Sequence, residues 1–361
     1  MHKRELRKPD GRRLLLYGRA PIPAGLEAPS PASTPGGDGS HLRWHPLRGE
    51  WVAYASHRQH RTFLPPPAYD PLAPTLDPAL PTELPAGPYD VAVFENLFPT
   101  LSLAAPAPRG TLVPTRPGAG VCEVVVFTQA REGSLGALPL DHVTLILEVW
   151  ADRYRELGAL DAIEYVYPFE NRGVEVGVTL AHPHGQIYAY PFVPPIPARE
   201  LQAQREYLAA HGRGLVDQLI RDEIDAADRL VFLSDLAAAF VPVCARYAYE
   251  VWVAPRRPAP SLADLDAQEQ RAVAEALKTV LLKYDALWQR PFPYVMAVHQ
   301  APTDGGPHPE AHVHIEFYPA FRMPGRLKYL AGSELGAGVF TADTLPEDTA
   351  RELRGIEVTC E

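Results

Sequence analysis

An internal duplication constrains this 361-residue chain more than any other feature of its sequence. Residues 122–138 align without gaps on residues 249–265, so that Glu123 falls on Glu250 and Leu138 falls on Leu265. Each copy has the pattern of a strand, a loop and an amphipathic helix, and a second strand follows in both. Because the elements recur in the same order at a spacing of about 130 residues, the sequence indicates two copies of one structural unit.

The order of these elements predicts an α+β fold, in which two fused halves form an antiparallel sheet with helices packed on it. We expect the N-terminal half to span residues 42–200 and the C-terminal half to span residues 201–361. Residues 1–41 are predicted to form a flexible arm, because residues 20–40 are rich in proline, glycine and small polar side chains. Residues 64–88 have a similar composition and are predicted to form a long surface loop.

The composition excludes several classes of protein. A net charge of −10 opposes binding to nucleic acid or to an anionic membrane surface. No run of 18 apolar residues is present, and the first residues lack the order of a secretory signal peptide. The three cysteines, Cys122, Cys244 and Cys360, lie far apart, which argues against a disulfide framework and predicts a cytoplasmic protein.

The duplication extends into a pair of histidine motifs, HPHGQ at 182–186 and HVHIE at 312–316. In an extended strand His182, His184 and Gln186 would share one face, and Gly185 would leave room for a ligand. An imidazole whose other ring nitrogen is held by an acceptor is a competent nucleophile towards phosphorus. A single histidine is more often structural, but two beside a glycine-containing loop favour a site that handles phosphate.

The second motif has the residue types of a metal site. His312, His314 and Glu316 would share a strand face, and His299 lies upstream of them. Histidine and carboxylate side chains bind zinc and iron. A polar, hydrogen-bonded face without a metal explains the same pattern equally well.

The HPHGQ motif, followed by an aromatic strand and a proline-rich turn, resembles the active-site signature of the galactose-1-phosphate uridylyltransferases. This family belongs to the histidine-triad superfamily and has two such halves in one chain. Four blocks of this sequence carry the resemblance: RWHPLRGEWVAYASHRQHR at 43–61, VFENLF at 93–98, ENRGVEVGVTLAHPHGQIYAYPFVP at 170–194 and RLKYLAGSE at 326–334.

The resemblance implies a reaction in which UMP is exchanged between UDP-glucose and galactose 1-phosphate by a ping-pong route. It assigns His184 as the nucleophile that becomes uridylylated, with Gln186 donating to a phosphoryl oxygen. It implies a homodimer with its active sites at the subunit boundary and no organic cofactor. The substrate-binding positions that it implies are Arg58, Arg61, Asn96, Phe98, Asn171, Gly177, Thr179, Lys328, Tyr329, Ala331, Ser333 and Glu334.

Two metal sites of the family fare differently in this sequence. At the first, Ala73, Leu76 and Arg131 stand where the family has ligands, so we predict that zinc is absent and that His182 orients the active-site strand. At the second, the resemblance implies zinc or iron bound by Glu200, His299, His314 and Glu316, with Glu316 standing where the family has a histidine. Phe340 also departs from the family, which has a phosphate-contacting glutamine there.

Three alternatives to this uridylyltransferase remain open at the level of sequence. The same histidine motif occurs in phosphorylases and adenylyltransferases that use ADP- or UDP-sugars. A histidine-triad nucleotide hydrolase would form the same intermediate, but its motif has a third histidine where this chain has Gln186, which favours transfer. The last alternative is a non-catalytic module that binds a nucleotide or a metal.

Overall fold

The computed structural model describes residues 1–32, 39–60 and 69–360. In chain order its strands and α-helices are β1 (His2–Arg7), β2 (Arg13–Gly18), β3 (His41–His45), β4 (Glu50–Tyr54), β5 (Pro74–Thr75), β6 (Leu84–Pro85), β7 (Val91–Glu95), β8 (Thr115–Pro117), β9 (Val121–Val126), α1 (Leu140–Gly158), β10 (Tyr165–Arg172), β11 (His184–Tyr190), α2 (Pro195–His211), α3 (Leu215–Ala226), β12 (Leu230–Leu233), β13 (Ala237–Phe240), β14 (Val251–Pro255), α4 (Ala267–Leu287), β15 (Tyr294–His299), β16 (His314–Pro319), β17 (Phe321–Met323), β18 (Arg326–Leu327) and α5 (Pro346–Arg354).

An 11-stranded antiparallel sheet runs through the molecule in the order β1-β2-β7-β9-β11-β10-β15-β16-β14-β13-β12. The triplet β9-β11-β10 of the first half corresponds to the triplet β14-β16-β15 of the second half. The two triplets meet where β10 pairs with β15, with Phe169 opposite Ala297. The predicted α+β fold, with two halves contributing to one antiparallel sheet, is therefore confirmed.

Helices α1 and α4 cover one face of the sheet and pack against each other. Their apolar positions recur at helical spacing, so that Trp150 and Tyr284 are fully buried between helix and sheet. At the start of α4 the Asp266 carboxylate accepts hydrogen bonds from the backbone of Gln268 and Glu269, which fixes where the helix begins. This helical layer leaves the opposite face of the sheet to loops in the N-terminal half and to α3 in the C-terminal half, where Val216 and Ile220 pack on Phe240.

The expectation of a flexible N-terminal arm is wrong for the first 18 residues. Strands β1 and β2 form a hairpin on the edge of the sheet, and β2 pairs with β7. The four apolar residues from Leu14 to Tyr17 are buried on both faces, as expected of an interior strand. This burial outweighs the cost of ordering the segment, whereas the proline and glycine content that suggested an arm begins only after Gly18.

Loops cover the second face of the N-terminal half. The described part of the predicted surface loop, residues 69–88, is packed on the sheet, with Leu72 and Leu84 buried against Phe94. Ile22 and Leu26 of the segment after β2 pack on the same cluster. A cavity remains between these loops and strands β7, β9 and β11. Across the described residues, no helix combines the length and apolar character that crossing a membrane requires.

Candidate active site

His184 stands at the first residue of β11, next to the cavity. Its Nδ1 lies 2.7 Å from the carbonyl oxygen of His182, so Nδ1 carries a proton and donates to that oxygen. Within the described part of the chain Nε2 makes no hydrogen bond, and its lone pair is available to a ligand. Burial lowers the pKa of His184 below its ordinary value, which keeps the imidazole neutral and nucleophilic near pH 7.

The second histidine motif repeats this arrangement. The Nδ1 atom of His314 lies 2.9 Å from the carbonyl oxygen of His312. The Nε2 atoms of His182 and His312 also contact matching carbonyl oxygens, those of Thr128 at 2.7 Å and Pro255 at 2.9 Å. The duplication seen in the sequence therefore preserves how each histidine pair is held.

Gln186 shares the strand face of His184 and lines the cavity with it. Gly185 points to the helical side, where an added Cβ would lie 2.8 Å from Phe127 Cζ and 3.0 Å from the Phe169 carbonyl oxygen. The prediction that Gly185 leaves room for a ligand is therefore wrong, because protein atoms fill that space. The glycine allows β11 to pack closely on the core.

The prediction that His182 shares a strand face with His184 is wrong. His182 lies in the bend before β11 and is not part of the strand. Its ring is buried, with Nδ1 2.8 Å from Asp70 Oδ2 and Nε2 2.7 Å from the Thr128 carbonyl oxygen. Although burial opposes it, the hydrogen bond from His182 lowers the pKa of Asp70 below its ordinary value. The Asp70 carboxylate and the Thr128 carbonyl thus fix the residue whose own carbonyl orients His184.

This arrangement does not fit the zinc site found elsewhere in the resembled family. Ala73 is buried and Leu76 is exposed, and neither has a ligand atom. Arg131 approaches Asp70 with 4.0 Å between Nε and Oδ2. Among the residues that the structure describes, only His182 and Asp70 offer ligand atoms at this position, and a structural zinc takes four.

The cavity next to His184 has a volume of about 380 Å³. Backbone contacts hold its polar lining: Arg58 Nη1 donates to the Phe98 carbonyl oxygen at 2.6 Å, and Asn96 Oδ1 accepts from the Phe98 amide at 2.9 Å. Arg61 lies outside the described residues. Six of the predicted site residues line the cavity, namely Arg58, Asn96, Phe98, Thr179, His184 and Gln186.

The loop between β10 and β11 approaches the cavity from the side opposite β9. Gly177 has a φ of 81°, a left-handed conformation that glycine adopts without strain, and an added Cβ would meet nothing within 4 Å. Thr179 follows and lines the cavity. Asn171 does not line the cavity. It lies two residues after Phe169 on β10, and Phe169 pairs with Gln186 on the antiparallel strand β11. Asn171 is therefore beside the end of β11 at which His184 stands.

None of the predicted residues between Lys328 and Glu334 lines the His184 cavity in the described structure. They follow β18 on the C-terminal half, where Tyr329 is 77% exposed. Lys328 Nζ donates to the Thr341 carbonyl oxygen at 2.6 Å, and Glu334 Oε1 accepts from the Thr341 hydroxyl at 2.9 Å. Ser333 donates to the Val339 carbonyl oxygen within the same segment, which also contains Ala331. Phe340 packs on Tyr247.

A second cluster of chemically active side chains lies at β15 and β16. Glu200, His299 and His314 place one ligand atom each within 4.8 Å of one another, and Glu200 Oε2 lies 2.6 Å from His299 Nδ1. Glu316, the fourth predicted ligand, lies 3.4 Å from His314 Nε2. Glu316 also accepts hydrogen bonds from Tyr318 and Arg246. The nitrogen and oxygen donors of the first three residues suit zinc or iron.

Family models account for most of the chain. The model of the galactose-1-phosphate uridyl transferase N-terminal domain matches residues 37–194, and that of the C-terminal domain matches residues 200–359. The chain belongs to the galactose-1-phosphate uridylyltransferase family. The resemblance seen in the HPHGQ motif is confirmed, and the protein is a transferase of this family.

Curated relatives support this family assignment. The galactose-1-phosphate uridylyltransferase of Thermotoga maritima is 35% identical over 322 residues, which cover 88% of this chain and 98% of the relative. The galactose-1-phosphate uridylyltransferase of Streptomyces lividans is 38% identical over 267 residues, which cover 73% of this chain and 70% of the relative.

Solved structures support the fold. A uridylyltransferase structure has a TM-score of 0.78 at 35% identity and covers 87% of this chain and 97% of its own. An ADP-glucose phosphorylase from Arabidopsis thaliana, with bound ADP-glucose, has a TM-score of 0.67 at 24% identity. It covers 88% of this chain and 99% of its own, and it shares the fold.

Sequence reasoning missed Asp70 as a member of the site. It lies 112 residues before His182, in a proline-rich stretch without regular periodicity, so spacing gave no signal. It also missed Glu83 and Pro31, which line the cavity. A useful signal was the run of four apolar residues before Gly18, which marks a strand that brings the N-terminal segment to the site.

Proposed function

We propose that the protein exchanges UMP between UDP-glucose and galactose 1-phosphate through a uridylyl group carried on His184. The single observation that supports this most is the orientation of His184. Its Nδ1 is bonded to a backbone oxygen at 2.7 Å, and its other nitrogen faces a cavity lined by Arg58 and Gln186. A neutral, fixed imidazole is suited to attack at phosphorus.

The reaction divides into two displacements. In the first, His184 Nε2 forms a bond to the α-phosphorus of UDP-glucose, and the bond from that phosphorus to the bridging oxygen breaks. Glucose 1-phosphate leaves with that oxygen and its electron pair. In the second, a phosphate oxygen of galactose 1-phosphate attacks the same phosphorus, the N–P bond breaks, and UDP-galactose leaves. Each bond that forms replaces one that breaks.

Two side chains in the cavity suit the charge that develops at phosphorus. The Gln186 amide can donate a hydrogen bond to a non-bridging oxygen beside His184, on whose strand face it lies. Arg58 supplies a guanidinium at the same cavity, and its backbone contact at Phe98 limits its movement. The amide of Gln186 donates a hydrogen bond but does not take up a proton, as a histidine at this position would. This difference suits transfer to a sugar phosphate.

The decisive experiment is exchange of labelled glucose 1-phosphate into UDP-glucose without any acceptor. Wild-type protein should catalyse exchange, and His184→Gly should reduce it by at least a thousandfold while retaining UDP binding. His211→Asn, an exposed histidine at the end of α2, is the matched control. Absence of exchange by the wild type with UDP-, ADP- and GDP-sugars would contradict the proposal. Equal exchange with ADP-glucose and UDP-glucose would favour the phosphorylase alternative.

We further propose that a homodimer completes the site. Residues 328–334 match the family's substrate block, yet they do not line the His184 cavity of their own chain. Tyr329, Leu335 and Val339 of this region are 77%, 61% and 60% exposed, which suits contact with a second copy. The inactive variants His184→Gly and Lys328→Ala, refolded together, should then regain activity in mixed dimers. A monomer by light scattering would contradict this.

A zinc or iron ion is proposed at Glu200, His299 and His314, with Glu316 beside it. His314 lies on β16, three strands from β11, which corresponds to about 14 Å across the sheet. When bound, the ion would link α2 to the sheet. Metal analysis of wild-type protein, Glu200→Ala and the exposed control Glu206→Ala tests this. One ion per chain, lost only in Glu200→Ala, is expected, and no metal in the wild type would exclude the site.

A further inference from the structure

The segment after β2 reaches the candidate active site. We call residues 19–32 the strap; it lies before residue 37, where the family match begins. Ile22 and Leu26 pack on the apolar cluster of the loop-covered face. Further along the strap, Pro31 lines the same cavity as His184 and Gln186. A segment outside the matched domains therefore supplies part of the wall of the cavity.

Contacts of Arg12 place the strap at the β7 end of the cavity, because its guanidinium donates to Ser30 Oγ at 3.4 Å and to the Glu95 carbonyl oxygen at 2.9 Å. Gln186 pairs with Val124 on β9, and Val124 pairs with Phe94 on β7. Phe94 is thus two strands, or about 10 Å, from the strand that carries the nucleophile. That distance matches the span of a ribose and a base attached to a phosphate at His184. Asn96, two residues beyond Phe94, also lines the cavity, so the base end lies towards β7 and the strap.

Buried charges hold the strap in this position. Ser30 donates a hydrogen bond to Asp10 Oδ2 at 2.6 Å, and Lys8 Nζ donates to the Pro29 carbonyl oxygen at 3.2 Å. Asp10 in turn pairs with Arg12 at 2.8 Å. Lys8, Asp10 and Arg12 are 3%, 6% and 4% exposed, so these contacts exclude water. Contacts of this kind fix a segment firmly, because breaking one leaves a buried charged group short of one hydrogen bond, even though Asp10 keeps Arg12 and Lys8 keeps Glu83.

The same network neutralises a carboxylate in the cavity wall. Glu83 lines the cavity and accepts from Lys8 Nζ at 2.6 Å and from Arg12 Nη2 at 2.8 Å. An unpaired carboxylate there would repel a nucleotide phosphate. Two cations from the turn between β1 and β2 remove that repulsion. The N-terminal hairpin therefore affects both the charge and the shape of the cavity.

We propose that the strap, through Pro31, closes the base end of the nucleotide pocket and restricts it to a single-ring pyrimidine. The proposal rests on the proposed function for the orientation of the nucleotide. The cavity volume of about 380 Å³ lies at the small end of the range for ligand pockets. A purine extends further from the ribose than a pyrimidine and meets the Pro31 ring, whereas uracil stops short of it.

Direct binding tests the strap independently of catalysis. Calorimetric dissociation constants of UDP and ADP are compared for wild type, Pro31→Gly, which removes the ring, and Ser30→Ala, which removes the bond to Asp10. Pro21→Gly is the matched control, because Pro21 is an exposed strap proline away from the cavity. Thermal unfolding of each variant shows whether the fold is kept.

The wild type should bind UDP at least thirtyfold more tightly than ADP. Pro31→Gly and Ser30→Ala should each reduce that ratio by tenfold or more, mainly by tightening ADP, while Pro21→Gly leaves it unchanged. Equal binding of UDP and ADP by the wild type would overturn the proposal. So would ratios in both variants within twofold of the wild type. Absence of label exchange together with normal UDP binding would instead contradict the proposed function. It would not contradict the proposal about the strap.

Discussion

Asp70 Oδ2 lies 2.8 Å from Nδ1 of His182, although 112 residues separate them in the chain. A second acceptor, the Thr128 carbonyl oxygen, lies 2.7 Å from the other ring nitrogen. His182 therefore has an acceptor at both nitrogens, and its carbonyl oxygen in turn holds His184 Nδ1. In this chain a carboxylate and a backbone oxygen hold the histidine that zinc would hold elsewhere in the family.

Replacing Asp70 by alanine should therefore impair both stability and turnover. The buried ring of His182 would lose its charged acceptor, which costs about 2 kcal/mol in the free energy of unfolding. The rate of uridylylation of His184 should fall by about tenfold with little change in UDP binding, because the supporting carbonyl is less well fixed. Urea unfolding and single-turnover kinetics measure the two effects. Asp70→Asn, which keeps an acceptor oxygen, should recover part of each, and Asp77→Asn in the same loop is the control.

Gln186→Ala should reduce the uridylylation rate by about a hundredfold, since it removes a donor to the charged phosphoryl oxygen. Gln186→Glu should be worse, because a carboxylate cannot donate and repels the phosphate. Rapid-quench kinetics with UDP-glucose measures the rate, and the exposed Gln202→Ala on α2 serves as the control. A rate for Gln186→Ala within threefold of the wild type would contradict the assigned role.

The pH dependence of kcat/KM for UDP-glucose should reflect His184. Burial lowers the pKa of His184 below 6.5, and only the neutral form has the lone pair on Nε2 that the proposed attack on phosphorus requires. Activity should therefore change little as pH falls from 8 towards 7, and the midpoint of the acidic limb should lie below pH 6.5. An acidic limb that starts above pH 7 would contradict a buried, neutral nucleophile.

Glu170 should make stability depend on pH at the junction of the two halves. It accepts a hydrogen bond from the Tyr294 hydroxyl at 2.9 Å across β10 and β15, and burial raises its pKa to about 7. The folded state then holds a proton that the unfolded chain has released above pH 4.5. The contribution of Glu170 to the free energy of unfolding therefore falls as pH rises from 4.5 to 7.

Glu170→Gln keeps an acceptor but cannot ionise. Between pH 5 and pH 8 the free energy of unfolding of the variant should rise relative to that of the wild type by up to about 3 kcal/mol. Urea unfolding of both proteins at the two pH values measures this difference. A difference between variant and wild type that does not change with pH would show that Glu170 titrates normally.

The features predictable from sequence were those encoded locally or repeated. The pattern of HPHGQ placed His184 and Gln186 on one face, and its repetition at 312–316 indicated a second pair held in the same way. His182 escaped this reasoning because Pro183 interrupts the strand, and an alternation rule fails where the strand has not begun. The partner of His182, Asp70, belongs to a loop, and its place depends on tertiary packing that no local pattern encodes.

The N-terminal hairpin shows the opposite error. The run from Leu14 to Tyr17 was a strand signal, but the proline-rich stretch after it dominated the interpretation. Composition averaged over a long window concealed a short apolar segment, and with it the elements that bring Lys8 and Arg12 to Glu83. Short strands at the edge of a sheet are recognised only when the window is as short as the strand.

The two histidine pairs are held in the same way by backbone oxygens, but the two halves of the chain suit different roles for them. In the first, the free nitrogen of His184 lies next to a cavity, where the proposed reaction requires a bond to phosphorus that forms and breaks in every cycle. In the second, the corresponding nitrogen of His314 faces the carboxylate of Glu316 at 3.4 Å, in surroundings suited to a permanent bond. The same way of holding an imidazole thus suits two different proposed roles, a bond that turns over at His184 and a lasting bond at His314.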